Sequence, residues 1–520
     1  MKHSPPVLAI VAWLLAAMPA TAATTHYVNL NSPAPSSPYA DWSTAATNIQ
    51  DAIVAADPGD LVLVTNGLYQ TGGALAGKLY ISNRLAIVKP ITVQSVNGPG
   101  VTVILGSRSD SRLGIPYVRC AFLTNGATLI GFTLTNSVAP TSSTVQGGAA
   151  YADFSPLVPS TAAISNCVLT ANSASYGGGA YGLTLNNCTL LGNSAAIGGA
   201  ASSCTLNNCT ISNNAASGNL PDFPPPGFGG GAYRSTLNNC YVVANTATAG
   251  GGGAYQSYMS NCLINANSAI EGGGISAGWL YNCTIVSNTA TTGGGVYPGG
   301  TTALTNCILF NNSATTGPNY QSGPTFSHCC TTPLPAGPGN FTNDPVFMIP
   351  AAGDFHLQTN SPCINAGINS AVSSATDLDG NPRIAGGTVD LGAYEIQAPA
   401  STISYAWLQQ YGLPTDGTAD ALDTDGDGMT TWQEWRAGTN PTNALSVLRI
   451  TSVSARGAVA TLRWQSASEV TYSLERSTNL MVQPAFLPVQ TNIAGTGGQI
   501  TMSDTNSTPA YPAFYRLSVQ

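Results

Sequence analysis

Two stretches 21 residues apart decide the fold: Asn-Cys-Thr-Leu-Leu-Gly-Asn at 187–193 and Asn-Cys-Thr-Ile-Ser-Asn-Asn at 208–214. Five further segments align with them on one cysteine, each with an asparagine directly before that cysteine and another asparagine five residues after it. The seven aligned cysteines are Cys167, Cys188, Cys209, Cys240, Cys262, Cys283 and Cys307. A repeat this regular indicates one structural unit stacked several times.

The length of the repeat decides the architecture. Twenty-one residues are too few for a pair of ordinary helices, and the glycine clusters after most of these cysteines disfavour helix. Three short strands joined by turns fit this length, and they form one coil of a β-helix whose coils stack at about 4.8 Å. Strand alternation places each cysteine and the Leu or Ile two residues later inside the coil. The sequence therefore predicts an all-β fold, a right-handed parallel β-helix with a column of buried thiols.

The second asparagine column runs from Asn172 to Asn312. We expect it to mark a turn, where asparagine tolerates the left-handed conformation and its amide bonds to the next coil. Vertically adjacent cysteines of parallel strands have poor geometry for disulfides, so free thiols are expected in the ladder. The cysteines off this ladder stay open as disulfide partners: Cys120, Cys204, Cys329, Cys330 and Cys363.

The N-terminus has the pattern of a signal peptide. A basic start, Met1-Lys2-His3, precedes an apolar run at 7–18 and the small-x-small site Ala20-Thr21-Ala22. Residues 1–22 therefore predict export, to the cell surface or the extracellular space, and no later stretch is long enough to predict a transmembrane helix. Only 7% of residues are charged, the net charge is −8 and there are three lysines. This composition argues against a nucleic-acid partner.

Residues 24–398 are predicted to form the β-helix. Ser43 is placed to cap a helix over 44–56 that covers its N-terminal end, and strands are expected near 60–64, 79–81, 91–94, 101–105 and 129–134. The apolar face of that helix is predicted to consist of Ala45, Ile49, Ala52, Ile53 and Ala56.

The chain resembles the pectin-lyase-like superfamily of right-handed parallel β-helices, and residues 339–398 resemble the closing region of choice-of-anchor Q proteins. The motifs that carry the second resemblance are Asp-Pro-Val-Phe at 344–347, Asp-Phe-His-Leu at 354–357, Ser-Pro-Cys-Ile-Asn-Ala-Gly at 361–367, Asp-Leu-Asp-Gly-Asn-Pro-Arg at 377–383 and Asp-Leu-Gly-Ala-Tyr-Glu at 390–395. The charged cluster of this region consists of Asp377, Asp379, Arg383, Asp390 and Glu395. It is expected to fix turns and to pair with its arginine, with a cation site as the alternative.

Superfamily membership implies an alternative function, a polysaccharide lyase or glycoside hydrolase. Such chemistry needs a base or paired carboxyl groups. Between Cys120 and Asn343 the sequence holds four charged residues, Asp153, Asp222, Arg234 and Glu271, and none are spaced to stack as a pair. Asp222 and Arg234, beside a proline-rich insert, are the nearest candidates, so no catalytic residue is assigned and the assignment as an enzyme stays open.

Tyr181, Tyr233, Tyr255 and Tyr297 follow the glycine clusters at equivalent positions. They are predicted to form a column on one face, interrupted by Ser202 and Ser276. A row of tyrosines one coil apart can stack on the rings of a polysaccharide or a cell-surface glycan. The alternative is a stack that only supports neighbouring strands.

Residues 423–434 match the EF-hand calcium loop, with carboxylates at positions 1, 3 and 5, glycine at 6 and glutamate at 12. The match resembles the calcium repeats of dockerin-like and thrombospondin type-3 modules, and it predicts calcium as a cofactor within a module at 401–444. The predicted ligands are Asp423, Asp425, Asp427, the Met429 carbonyl, a water near Thr431, and Glu434.

Residues 445–520 contain alternating apolar stretches at 447–450, 458–464, 471–475 and 514–519. They predict a small β-sandwich that resembles a fibronectin type III domain. Attachment to the cell envelope and simple stability are both open roles for it. The function favoured by the sequence is that of a non-catalytic, glycan-binding or adhesion-type protein.

Overall fold

The computed structural model describes residues 23–77, 81–108, 117–138, 145–153, 160–218, 226–506 and 513–519. The predicted signal peptide, most of the predicted 79–81 strand and Asp222 lie outside these ranges. No helix of the described ranges is long and apolar enough to span a bilayer.

The strand register confirms the predicted all-β solenoid. Strands one coil apart pair in parallel, so that Thr189 lies opposite Thr210 and Leu190 lies opposite Ile211, and the register shifts at a bulge between Ser276 and Gly278. The strands of the coils are divided among three faces.

The first face carries nineteen strands among the described residues. They are Thr25–Val28, Leu61–Val64, Ala74–Ala76, Ile81–Ile87, Thr92–Ser95, Arg119–Leu123, Thr128–Ile130, Ala150–Ala152, Ala163–Ser165, Ala180–Tyr181, Thr184–Asn186, Ala201–Ser202, Thr205–Asn207, Ala232–Tyr233, Thr236–Asn238, Ala254–Ser260, Ile275–Tyr281, Val296–Thr305 and Thr325–Ser327. This face bears the predicted tyrosines.

The second and third faces complete each coil. The second face has the strands Gly67–Tyr69, Thr102–Leu105, Thr133–Thr135, Val168–Thr170, Thr189–Leu191, Thr210–Ser212, Tyr241–Val243, Leu263–Asn265, Thr284–Val286, Ile308–Phe310 and Cys330–Thr331. The third face has Ser173–Tyr176, Ser194–Ile197, Ala215–Ala216, Thr246–Ala247, Thr289–Thr292 and Ser313–Thr316.

The cysteine ladder points into the core, as predicted. All twelve cysteines are free and buried. The ladder has one rung more than the sequence spacing indicated, because Ile308 pairs with Cys330 and this register places Cys329 below Cys307. The placement of Cys329 off the ladder was therefore wrong. Its rung carries His328 in place of the usual asparagine, which hid the match.

The second asparagine column bonds to the next coil, as predicted, but it does not have the predicted left-handed conformation. The left-handed conformation falls on the asparagine before each ladder cysteine, for example Asn187 with φ 53° and Asn208 with φ 53°. A second left-handed residue precedes each asparagine of the other column, for example Gly192 with φ 63°. The column itself consists of buried asparagines whose amides bond to the next coil.

This buried column, called the asparagine column below, has eight members among the described residues: Asn172, Asn193, Asn214, Asn245, Asn267, Asn288, Asn312 and Asn319. The backbone N–H and side-chain Nδ2 of Asn245 both donate to Oδ1 of Asn267, at 2.9 and 3.0 Å. Nδ2 of Asn245 also donates to the carbonyl oxygen of Ile211 at 2.8 Å. Each amide therefore satisfies the next.

The glycine clusters let neighbouring coils approach. A Cβ added at Gly252 would lie 2.4 Å from the carbonyl oxygen of Gly273 and 2.5 Å from that of Ser268. Backbone at that distance leaves no room for a side chain, so the corner requires glycine.

The N-terminal helix, α1, spans Ile49–Ala55 and is shorter than the predicted 44–56. Its cap is Asn48, whose side chain accepts from the backbone N–H of Asp51, so the assignment of Ser43 as cap was wrong. Ala46 instead bridges to Val28 of the first strand, which keeps residues before Asn48 extended. The five predicted apolar positions are all buried, and most of them join the coil interior.

Residues 339–398 fold back along the last coils. A hairpin of Phe347–Ile349 and Asp354–Leu357, with 3₁₀ turns at Pro350–Ala352 and Asn369–Ala371, belongs to this region. Phe355 and Leu357 form one apolar cluster with Leu263 and Ile308, which lie on the outer side of the second face. The closing region therefore covers a lateral surface of the β-helix.

Two smaller units follow. Helix α2 spans Tyr405–Gln410 and helix α3 spans Thr431–Ala437, with the acidic loop between them. Ser404 lies at the cap of α2, and the Ser401 hydroxyl, four residues before the helix, donates to Asp420. Two three-stranded antiparallel sheets then share one core; their strands are Ile450–Arg456, Val459–Gln465, Gln499–Asp504 and Thr471–Ser477, Leu487–Ala494, Phe514–Val519. The first strand begins at Ile450 and not at the predicted 447.

Candidate functional site

The predicted tyrosine column lies on the first face. Strand register aligns Tyr181 with Ser202, Ser202 with Tyr233, and Tyr233 with Tyr255. Ser276 follows Tyr255 and precedes Tyr297 in the same register. The four tyrosines are half-buried.

The column extends one coil further than the sequence indicated, because Tyr151 pairs with Tyr181 at a ring-centroid distance of 5.7 Å. Tyr233 and Tyr255 are also 5.7 Å apart, with an angle of 6° between their ring planes. Ser202 and Ser276 are each only 1% exposed, so neighbouring groups cover the two gaps. We call this surface, with Tyr151 included, the tyrosine column.

Polar and aromatic groups lie beside the column, and of these the sequence analysis singled out only Arg234. The guanidinium of Arg234 lies 5.1 Å from the Tyr233 ring centroid, and its Nε donates to Oε1 of Gln256 at 2.9 Å. Trp279, 43% exposed, lines a cavity of about 320 Å³ together with Arg234, Gln256 and residues 299–301 of the strand Val296–Thr305. Trp279 was missed because the positions paired with it on the neighbouring coils, Tyr258 and Ala303, carry other residue types.

The charged groups of the coils are dispersed. Asp153 accepts a hydrogen bond from the Tyr151 hydroxyl at 2.7 Å, at the end of a first-face strand. Glu271 lies at a corner bridged to Thr292 of the third face. Arg234 lies beside Tyr233. The fourth charged residue, Asp222, lies outside the described residues.

The closing motif follows the structural interpretation favoured by the sequence. Oδ1 of Asp377 accepts the backbone N–H groups of Asp379 and Asn381, which closes a turn. The buried guanidinium of Arg383 pairs with Glu395 at 3.2 Å and donates to the carbonyl oxygen of Gly392 at 2.6 Å. These residues hold the closing region together.

The acidic loop brings its carboxylates together. Oxygen atoms of Asp423, Asp425 and Asp427 lie within 4.8 Å of one another. Both oxygens of Asp423 accept loop N–H groups, from Gly426 at 2.9 Å and Gly428 at 3.0 Å. The loop backbone therefore converges on these three side chains.

Glu434, the last predicted ligand, is buried on helix α3. Burial, together with the nearby carboxylates of Asp425 and Asp427, raises the pKa of Glu434 to about 7. Among the described side chains, one oxygen each of Asp425, Asp427 and Glu434 is buried with no hydrogen-bond partner. Unpaired buried carboxylate oxygens are costly, and hard cations such as calcium bind such oxygens. The residues present fit a calcium ion.

The other two predicted ligand positions, Met429 and Thr431, make hydrogen bonds to neighbouring residues. The N–H of Met429 donates to Oδ1 of Asp427 at 2.8 Å, which fixes the residue whose carbonyl was predicted to bind. The Thr431 side chain is buried, and its hydroxyl donates to the carbonyl oxygen of Leu422 at 3.1 Å.

The class of protein defined by this geometry is an all-β solenoid of parallel coils with an aromatic column outside. No family model matches the chain, and no curated protein matches it. Three solved structures are similar to it. Pectate lyase Pel9A has a TM-score of 0.47 and 16% identity, over 72% of this chain and 97% of its own. A rhamnogalacturonan lyase has a TM-score of 0.40 and 11% identity, over 62% and 90%. The Dettilon tailspike protein has a TM-score of 0.32 and 11% identity, over 95% and 93%.

Proposed function

We propose that this chain is a secreted or cell-surface, non-catalytic protein that binds a polysaccharide or cell-surface glycan through the tyrosine column. The observation that carries the proposal is the parallel pair of half-buried rings, Tyr233 and Tyr255. An aromatic ring combines a large apolar face with a polar tip, which suits the mixed apolar and hydroxylated surface of a sugar.

Neighbouring groups strengthen this assignment. The guanidinium of Arg234 and the amide of Gln256 lie on the same side of the coil and offer hydrogen-bonding groups next to the rings. Trp279 adds an exposed aromatic ring at the cavity of about 320 Å³. A few polar groups around an apolar platform are typical of ligand sites.

Binding to a panel of neutral and uronate polysaccharides tests the proposal. We expect the full-length protein to be retained by at least one of them without releasing reducing or unsaturated ends. Trp279→Ala is expected to weaken retention, because it removes an exposed ring and leaves the coil core unchanged. Product release that Arg234→Ala abolishes would instead establish a carbohydrate-active enzyme. No retention by any polysaccharide would refute the glycan assignment.

We also propose that the loop 423–434 binds one calcium ion, held by Asp423, Asp425, Asp427, the Met429 carbonyl and Glu434. A water held near Thr431 completes the predicted set. Support comes from the three buried, unpartnered carboxylate oxygens. The bound ion supplies the positive charge that this cluster lacks, and through Glu434 it joins the loop to helix α3.

Calorimetric titration with calcium chloride tests this site. We expect binding by the full-length protein and its loss in Glu434→Ala, with Asp416→Asn as an exposed acidic control outside the loop. A calcium concentration of about 100 times Kd is expected to stabilise the module by about 2.7 kcal/mol. No heat of binding, or equal binding by Glu434→Ala, would contradict the ligand assignment.

The localisation that we propose rests on the signal-peptide pattern at 1–22. Export by that signal peptide would bring the tyrosine column into contact with extracellular glycans. We propose that the β-sandwich attaches the chain to the cell envelope. Cell fractionation with and without residues 445–520 tests this, since attachment predicts release of the truncated protein into the medium.

A further inference from the structure

A cleft lies where the last coil, the closing region, the calcium module and the β-sandwich meet. It consists of two adjoining cavities of about 550 and 660 Å³. Both are lined by His328, Gly367, Thr388, Trp435 and Glu469. We call this space the junction cleft. It is built from different residues than the tyrosine column.

The cleft opens where the coil repeat changes. His328 has the left-handed conformation, φ 51°, of the asparagines before the other ladder cysteines, and it replaces that asparagine in the last rung. Its ring packs against Gly339, where an added Cβ would lie 2.4 Å from Cδ2 of the imidazole. Its Nδ1 is 3.0 Å from Oγ of Ser327. The imidazole is thus fixed in place at the cleft wall.

Glu469 approaches from the β-sandwich. It lies in the connection between two strands and has φ 70°, a conformation that glutamate rarely adopts. Its side chain is exposed at the cleft. Backbone strain of this kind persists where the surrounding structure enforces it and is common in ligand sites.

Two tryptophans form the aromatic part of the cleft. Trp407 and Trp435 line the first cavity, and both are partly buried against the small core of Ile403, Leu408 and Ala419. Packing against that core restricts the rings, so little conformational entropy is lost when a ligand contacts them.

The polar lining is mainly uncharged. Gln410 and Ser404 line the first cavity, and Oδ1 of the buried Asn365, which also lines it, has no hydrogen-bond partner among the described residues. Glu469 and Arg436 are the charged residues of the described lining, one of each sign. Burial lowers the pKa of His328, although Glu469 opposes this, and a lowered pKa favours the neutral imidazole.

We propose that the junction cleft binds an uncharged oligosaccharide, with Trp407 and Trp435 contacting sugar rings and the amide and hydroxyl groups bonding to sugar hydroxyls. The described lining of the junction cleft has no excess of either charge that would favour a charged glycan. The proposal is independent of glycan binding by the tyrosine column. Trp435 directly follows Glu434, so a calcium ion in the loop would also steady one wall of the cleft.

The test is calorimetric titration of the full-length protein, in calcium-containing buffer, with xylohexaose, cellohexaose and mannohexaose, and with oligogalacturonate as the charged comparator. We expect binding of at least one neutral hexasaccharide and weaker binding of the uronate. Trp435→Ala is expected to weaken that binding about tenfold. Trp432→Ala is the matched control, because Trp432 is exposed on the same helix and lies outside the described lining of both cavities.

A second pair of variants keeps the test decisive if Trp435→Ala lowers the Tm of the module. Gln410→Ala alters an exposed lining side chain and is expected to weaken binding with an unchanged Tm. The loss caused by Trp435→Ala should be the same in the wild type and in a Tyr233→Ala, Tyr255→Ala background, which separates the cleft from the tyrosine column. Absence of binding by all three neutral hexasaccharides, or equal binding by the wild type and Gln410→Ala, would overturn the proposal.

Discussion

The asparagine column and the tyrosine column are both built by stacking one residue type per coil, yet they differ in how their polar groups are satisfied. Each asparagine amide accepts from the coil before it and donates to the coil after it, and the column continues through eight members. The tyrosines other than the buried Tyr151 are half-buried, and the column is interrupted at two positions and lies beside an exposed tryptophan.

The difference shows that one repeat can build both a column that stabilises the fold and a surface that is available for binding. A primary amide carries both donors and acceptors, so identical asparagines are complementary to one another when stacked. A phenol ring stacks on its neighbour but keeps one edge and its hydroxyl available at the surface. We therefore expect substitutions in the first column to act on stability and substitutions in the second to act on binding.

The largest effect is expected inside the asparagine column. Asn267→Ala removes the acceptor for the backbone N–H and the Nδ2 of Asn245 and leaves a small void at a fully buried site. An orphaned buried donor costs about 1 to 3 kcal/mol, and the lost contacts add to that, so we expect a loss of about 3 kcal/mol. Chemical denaturation measures this change.

A matched control exists on the outside of an earlier coil. Asn207 is half-buried, and its Nδ2 donates to Oδ1 of Asn186 at 2.9 Å. Asn207→Ala is expected to cost about 1 kcal/mol or less, because water replaces the lost bond. Equal losses of stability for Asn207→Ala and Asn267→Ala would mean that burial does not distinguish the asparagine column from the outer asparagines.

The cysteine ladder should be more tolerant than the asparagine column. The thiol of Cys240 is buried and donates only weak bonds, to the carbonyl oxygens of Leu206 and Asn238 at 3.4 and 3.2 Å. Cys240→Ala removes one heavy atom and leaves no strong donor unpaired, so we expect a loss of about 1 kcal/mol in the free energy of unfolding. A loss as large as that of Asn267→Ala would show that the sulfur column contributes more than packing.

The smallest effect is expected in the closing region and depends on pH. Partial burial lowers the pKa of His356, but its hydrogen bonds to Asp379 at 2.7 Å and Asp354 at 2.6 Å outweigh this and raise the pKa. A raised pKa in the folded state stabilises the protein fully below the unfolded value of about 6.5, and this contribution is lost as pH rises through the folded pKa.

The His356 side chain is partly exposed. We therefore expect its contribution to the free energy of unfolding to change with pH by less than about 1 kcal/mol. His356→Gln removes the titrating group and should flatten the stability difference between slightly acidic and slightly alkaline solution. A His356→Gln protein with the same pH profile as the wild type would contradict this assignment.

The coil, the thiol column and the acidic loop were predictable because each is encoded in a local sequence pattern. Cys188 and Cys209 repeat at a fixed step, and residues 423–434 carry their ligands at fixed offsets. The start of α1 was not predictable from Ser43, because pairing of Ala46 with the first strand competes with helix.

The junction cleft could not be predicted for a different reason. His328, Asn365, Trp435 and Glu469 are far apart in sequence and meet only when four segments pack together. Trp279 also escaped notice, because its importance depends on its exposure beside Arg234 and the coil positions paired with it carry other residue types.

The most direct test of the central claim compares two double variants of the tyrosine column for affinity toward one retained polysaccharide. Tyr233→Phe with Tyr255→Phe keeps the stacked rings, whereas Tyr233→Ala with Tyr255→Ala removes them. If ring stacking carries recognition, the phenylalanine pair keeps most of the affinity and the alanine pair loses at least about tenfold at an unchanged fold. Equal affinity of the alanine pair and the wild type would contradict the assignment of the tyrosine column as the glycan-binding surface.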